Sequence, residues 1–199
     1  MIEERPSGPT EVRVPAGDDR PRLVCRDCGF IHYSNPRIVV GAVCHWKDRI
    51  LLCRRAIEPR RGYWTMPAGY LEENESTREG AIRETREEAL AEIETDALLA
   101  IYDIPRINQV QMIFRGTLLT PEYGCGEETE EIALFRWEDV PWETLAFPSV
   151  HWALNHDREV AGLREFVPRG TPPEWLKRRE ETVLRARHHY DTNIVGDGG

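Results

Sequence analysis

The chain has 199 residues, 40% of them hydrophobic, which suffices for one well-packed domain with small appendages and is too little for two full ones. A formal charge of −9 excludes general affinity for nucleic-acid phosphates or anionic membranes, both of which rest on basic patches. No apolar run approaches the roughly 18 residues of a membrane span, "MIEERPSGPT" lacks the apolar core of a signal peptide, and five cysteines do not suit a disulfide framework; a soluble, cytoplasmic protein is expected.

Residues 1 to about 20 are rich in Pro, Gly and charge, and an irregular start is expected there. "LVCRDCGFIHYSNP" carries Cys25 and Cys28 on a turn and closes at Pro36. The β-branched, apolar runs "RIVVGAVCHW" and "KDRILLCRRA" flank Lys47 and Asp48, a pattern that predicts a hairpin with a buried interior. "YWTMPAGYLE" reads as a Gly/Pro-punctuated loop. "STREGAIRETREEALAEI" then predicts a helix from about 77 to 90 with Ser76 or Thr77 as N-cap. Strands follow in "ALLAIYDI", "QVQMIFRGTLL" and "EIALFRW", a second helix in "FPSVHWALNHDREV", then a peripheral helix near 173 to 188 and a disordered tail. We expect an N-terminal segment over 1–35, a central domain over 36–160 and an extension over 161–199.

On a helix, Glu84, Glu87 and Glu88 stand at i, i+3 and i+4, so their carboxylates converge within one turn while Ile82, Thr85 and Ala89 point toward a core. Repulsion at this spacing costs about 0.2–0.5 kcal/mol per pair, which a solvated face tolerates, so the cluster alone reads as surface charge. The surrounding spacing separates the two readings. Gly69, five residues, Glu75, seven residues, Arg83-Glu84, two residues, Glu87-Glu88 resembles the box of the Nudix hydrolases. From average residue usage those six positions coincide by chance on the order of once in 10⁷ starting points. Two positions depart from the pattern. Thr85 stands where an aliphatic residue is usual, and Leu90 stands where Gly usually ends the helix, so we expect a different or later cap near Ala91.

The resemblance covers roughly residues 20 to 155 and implies an α/β fold, an α/β/α sandwich around a mixed sheet. The flanks "YSNPRIVVGAV", "ILLCRRAIEPRRGYWTMPAGYLE" and "LAFPSVHWAL" look like the subgroup that cleaves ADP-ribose, FAD or NADH, releasing AMP and a second monophosphate. In that reading Glu84, Glu87 and Glu88 hold Mg²⁺ or Mn²⁺. Arg83 orients carboxylates with Glu75 as ion-pair partner, and Gly69 keeps a tight loop close to phosphate. Glu128 or Glu131, in "GEETEE", supplies a further metal ligand or base, with an exposed acidic loop as the competing reading. Arg54 and Arg55 point to opposite faces of a strand, so at most one reaches the site as an anion clamp. Trp64 and Tyr63 are candidates for stacking on a substrate ring or for core packing, and Phe147 is equally open.

"CRDCG" resembles half of the zinc ribbon of related pyrophosphatases, but structural zinc takes four ligands and residues 1–24 contain neither Cys nor His. A metal-free knuckle is expected, with His32 or a second subunit's pair as alternatives. The implied partners are a small-molecule nucleotide and a second copy of the chain, with neither nucleic acid nor membrane. Competing readings are a non-catalytic Nudix-fold nucleotide sensor and a zinc-dependent interaction module at Cys25 and Cys28. The sequence does not select among ADP-ribose, FAD and NADH.

Overall fold

The computed structural model describes residues 8 to 176. The chain divides between Pro36 and Arg37 into two compact units.

In the first unit, β1 (Pro9–Arg13), β2 (Arg22–Cys25) and β3 (Ile31–His32) form an antiparallel three-stranded sheet. Strand β1 lies in the stretch expected to be irregular. Pro9 opens the strand, and Pro15 and Gly17 turn the chain toward β2, where Asp18 N donates to Pro15 O at 3.1 Å. Cys25 is buried and Cys28 exposed. The turn between them is closed by Gly29 N to Cys25 O at 3.0 Å, and the amides of Cys28 and Asp27 hold the Cys25 thiol below its usual range.

The second unit is built on a hairpin of β4 (Arg37–Trp46) and β5 (Arg49–Arg55). These strands pair only through Cys44–Leu51, His45–Ile50 and Trp46–Arg49 and then separate. Into the gap come two short strands, β6 (Trp64–Thr65) on β5 and β7 (Ala68–Tyr70) on β4. Helix α1 (Thr77–Ala89) leads to the long hairpin of β8 (Ile93–Ile104) and β9 (Gln109–Leu118), followed by β10 (Thr129–Arg136), helix α2 (Pro148–Glu159) and a final edge strand, β11 (Arg169–Gly170). The spine runs β10-β5-β4-β9-β8-β11; β4–β9 and β8–β11 are parallel and the other pairs antiparallel. The sheet is therefore mixed, as expected.

Alternation along the strands divides the core into two layers. Val40, Ala42, Cys44, Leu51 and Cys53 pack with Ala81 and Ala89 of α1 on one face. Val43, Ile50, Leu52, Tyr102 and Ile113 pack with Val150, Ala153 and Leu154 of α2 on the other. Full burial of each Val, Leu or Ile contributes about 1.5–3 kcal/mol, so both helices are fixed to the sheet chiefly by these faces.

The ends of α1 are specified locally. Ser76 and Glu79 form a capping box, with Ser76 N to Glu79 Oε2 at 2.8 Å and Glu79 N to Ser76 Oγ at 3.3 Å. At the other end Leu90 itself adopts the left-handed conformation, φ 47°, that glycine would supply, so the helix stops there and not near Ala91. The freed carbonyls are taken by a distant loop: Gly124 N donates to Ala89 O at 2.8 Å and Gly126 N to Glu88 O at 3.1 Å. Thr85 is fully buried, and its hydroxyl is satisfied by Ala81 O at 2.9 Å.

The expected C-terminal helix begins at residue 173; its remainder past 176 and the expected tail lie outside the described residues. Among the described residues no helix is long and apolar enough to cross a membrane.

Candidate active site

The residues that α1 buries are Gly80, Ala81, Glu84, Thr85, Glu88 and Ala89. Two glutamates thus stand in the stripe that a core helix fills with apolar side chains. Glu84 is 8% and Glu88 7% exposed, whereas the Glu87 side chain is 58% exposed. A solvated acidic face does not describe the first two.

What receives them is the β7 segment in the splayed hairpin. Glu88 Oε2 accepts from Ala68 N at 3.2 Å. Glu84 lies against Gly69 so closely that a Cβ there would overlap its carboxylate. Gly69 has no left-handed φ, so close approach rather than a special turn requires glycine at that position. Burial raises the Glu84 carboxyl above its ordinary range, opposed by Arg83 and reinforced by Glu87 and Glu128. Burial pushes Glu88 up to about 8, with Ala68 N and Arg55 opposing and Glu84 and Glu128 adding to it.

Arg83 ties the cluster together. Its Nη1 donates to Glu84 Oε1 at 2.8 Å and to Glu87 Oε2 at 2.9 Å. Nη2 donates to Glu75 Oε1 at 2.8 Å and Tyr70 O at 2.9 Å, and Nε to Glu75 Oε2 at 3.0 Å. Glu75 in turn accepts from Glu72 N at 2.8 Å, which fixes the loop entering α1.

These groups line a cleft of about 1610 Å³. Glu84, Glu87, Glu88, Glu128, Arg83, Gly69 and Arg55 all border it. Arg55 lies on the α1 side with Leu51 and Cys53, its Nε bonded to Pro59 O at 2.8 Å and its guanidinium 5.3 Å from the Phe147 ring. Three expected residues stand elsewhere. Arg54 leaves on the other face, bonding Gly62 O at 2.8 Å and pairing with Glu130 and Glu131 at 3.3 and 3.1 Å. Glu131 is that ion-pair partner and does not border the cleft. Trp64 is a core residue, 9% exposed and edge-on to Phe135 at 4.9 Å, and so is turned away from any ligand.

The cleft also includes residues to which sequence reasoning assigned no role: Tyr70, Gln109, Gln111, Trp152 and Trp175. Gln109 donates to Tyr70 Oη at 3.4 Å and Gln111 to Gln109 Oε1 at 3.2 Å. The polar alternation of "QVQMI" carried that signal, because Gln109 and Gln111 share a strand face with Ile113. Trp175 had no periodic signal at all.

Among the described residues, no three His, Cys, Asp or Glu side chains stand together as a ready metal-holding set. The cation drawing Glu84 and Glu87 together is the Arg83 guanidinium. The donor set nonetheless fits a hard divalent ion. It consists of carboxylates alone, two of them buried and resisting ionisation without a cation, in a cradle that a Cβ on Gly69 would fill.

Comparison with known proteins agrees with this geometry. The NUDIX domain model matches residues 35–169 and the Nudix N-terminal model residues 7–34. A NUDIX hydrolase from Nitrosomonas europaea is 42% identical, with a TM-score of 0.76 over 80% of this chain and 92% of that one. A protein of Methanocaldococcus jannaschii named ADP-ribose pyrophosphatase is 27% identical over 119 residues, 58% of this chain and 69% of that protein. The crystal structure of an ADP-ribose pyrophosphatase from Streptococcus suis, 22% identical with a TM-score of 0.58 over 68% of this chain and 99% of that one, shares the fold. The chain belongs to the Nudix hydrolases. It is an enzyme of the Nudix pyrophosphatase class, with an N-terminal segment of the ribbon type.

Proposed function

We propose that this enzyme hydrolyses the pyrophosphate bridge of a nucleoside diphosphate derivative, with ADP-ribose as the first candidate and FAD and NADH as the others. The observation that carries the reading is the burial of Glu84 and Glu88 side by side at the floor of a cleft. The name of the Methanocaldococcus jannaschii relative favours ADP-ribose within the class.

One water is added across the P–O–P bridge; with ADP-ribose the products are AMP and ribose 5-phosphate. Glu84, Glu87, Glu88 and Glu128 are the residues to hold Mg²⁺ or Mn²⁺, which when bound neutralises diphosphate charge and lowers the pKa of the attacking water. Arg83 keeps Glu84 and Glu87 in register through its two Nη1 hydrogen bonds. Arg55, anchored through Nε to Pro59 O, offers its terminal nitrogens to a phosphate. The N-terminus of α2, with Pro148 and Ser149 on the cleft, adds a partial positive charge at the same end. Glu128, beside Glu84 and Glu88, takes the water proton in preference to Glu131, whose partner is Arg54.

The test is a panel of ADP-ribose, FAD and NADH with Mg²⁺, Mn²⁺ or EDTA, with Glu87→Gln alongside. Wild type should release AMP from at least one compound in a metal-dependent way, and the variant should lose about 10²-fold or more in rate. Absence of any monophosphate product, or full activity of the variant, would sink the proposal.

A further inference from the structure

The N-terminal unit carries chemistry that the cleft does not use. Cys25 ends β2, and Cys28 lies in the turn that leads to β3. The turn is held at two points: Gly29 N donates to Cys25 O at 3.0 Å and Cys25 N to Phe30 O at 2.8 Å, with Gly29 at φ 74°. These bonds bring the two sulfurs together. The Cys25 sulfur accepts from the backbone amides of Asp27 and Cys28, and the Cys28 side chain bonds to the same atom. Cys25 is 1% exposed, whereas Cys28 is open to solvent.

The segment is of the ribbon type, yet its donor set does not fit the zinc that a ribbon implies. Structural zinc takes four ligands, and among the described residues no third Cys, His, Asp or Glu joins these two sulfurs. His32 stands opposite Leu23 in the β2–β3 register rather than at the turn. What the turn presents is a pair of thiols in contact, one reachable from outside and the other shielded. Cys44 and Cys53 offer no equivalent. Both are buried in the α1 layer, with Cys44 turned to Ala42 O at 3.6 Å and Cys53 to Glu88 O at 4.0 Å.

We propose that Cys25 and Cys28 form a redox-active dithiol, oxidised to an intrachain disulfide by low-molecular-weight disulfides, with Cys28 as the entry sulfur and Cys25 as the resolving one. The Cys28 thiolate attacks a disulfide R–S–S–R, forms the mixed disulfide Cys28–S–S–R and expels RS⁻. The Cys25 thiolate then attacks Cys28 Sγ, breaks the mixed disulfide and expels a second RS⁻. The two thiol protons pass to the released thiolates, so the cysteines are oxidised to one disulfide and R–S–S–R is reduced to two RSH. The amides of Asp27 and Cys28, aimed at Cys25 Sγ, stabilise the anion that performs the second step. Attack across a single turn also gives that step an effective concentration beyond any thiol in solution.

The full chain, purified without chelator, is first analysed for zinc. It is then incubated with glutathione disulfide, quenched in acid, alkylated and mapped by peptide mass spectrometry. We expect no zinc on these sulfurs and a Cys25–Cys28 disulfide that dithiothreitol reverses. In Cys25→Ser the glutathione adduct should stop at Cys28 and persist about tenfold longer than in wild type, and in Cys28→Ser the Cys25 thiol should stay unmodified. The wild-type map decides the question even if neither variant folds. Zinc at one or one-half equivalent that is lost in Cys28→Ser overturns the proposal. So does a wild-type adduct on Cys28 that never resolves, a disulfide made to Cys125 instead, or no reaction at either sulfur.

Discussion

The carboxylate of Glu84 occupies the space in which a side chain on Gly69 would begin. Loop and helix are thereby fitted to each other with no room for a methyl group. Gly69→Ala should push Glu84 off its position, while the buried contacts that fix α1 to the sheet remain. A displacement of this kind costs on the order of 10²-fold in kcat. Melting and steady-state kinetics on one preparation check the split: a loss of rate with a Tm change of only a few degrees is expected, and an unchanged rate would refute the fit.

Arg83 donates five hydrogen bonds in one plane, two of them from a single nitrogen to Glu84 and Glu87. Lysine keeps the charge but cannot reproduce the fork. Arg83→Lys should therefore weaken apparent Mn²⁺ affinity by about 10- to 100-fold, followed by the metal's paramagnetic resonance signal as well as by rate. If both stay at wild-type values, Arg83 is structural only.

Leu90 holds φ 47° with its side chain largely exposed. Left-handed backbone costs a non-glycine residue about 1–2 kcal/mol, and the entropy glycine loses on folding offsets part of that. Leu90→Gly is expected to raise stability by roughly 0.5 kcal/mol, or about 1–2 °C in Tm. Activity should be unchanged. A lower Tm would mean that the contact of Leu90 with the Gly124 loop outweighs the strain.

His156 Nδ1 lies 2.8 Å from Tyr102 Oη, and burial lowers the pKa of this histidine below the ordinary 6.5. A base with a depressed folded-state pKa contributes stability that is full above 6.5 and is lost as pH falls through the folded value. The histidine resonances titrated by NMR should place His156 below 6.5. Tyr102→Phe, which removes the hydroxyl bonded to Nδ1, should cost about 1 kcal/mol. A His156 that titrates at or above the ordinary value would contradict this.

The parts of the site readable in advance were those set by short-range geometry. Box spacing placed Glu84, Glu87 and Glu88 on one turn, and strand parity separated Arg54 from Arg55. The choice between Glu128 and Glu131, left open by the sequence, is made by a local irregularity. Thr129 pairs with Arg55 and Glu131 with Arg54, two steps on β10 against one on β5, so Glu130 is an extra residue. The strand is re-aimed at that bulge, and Glu131 goes to Arg54 while Glu128 goes to the cleft. Trp64 was ambiguous because either face of a strand-edge aromatic can be buried. Trp175 depends on β11 joining β8 from about 70 residues away, which no local pattern encodes.

The amides of Gly124 and Gly126 close the last turn of α1, and Glu128 follows two residues later on the same loop. A Cβ on Gly126 would overlap the Glu87 carbonyl, so helix and loop cannot separate at this point without losing both bonds. Fraying of the helix end, ordinarily the least stable part of a helix, is thus coupled to the release of the fourth acid. In hydrogen exchange the amides of residues 90, 124 and 126 should open as one cooperative unit. Opening of this loop would withdraw Glu128 from the cleft while Arg83 still holds Glu84 and Glu87, so the equilibrium of one loop sets how often the fourth carboxylate stands with the other three.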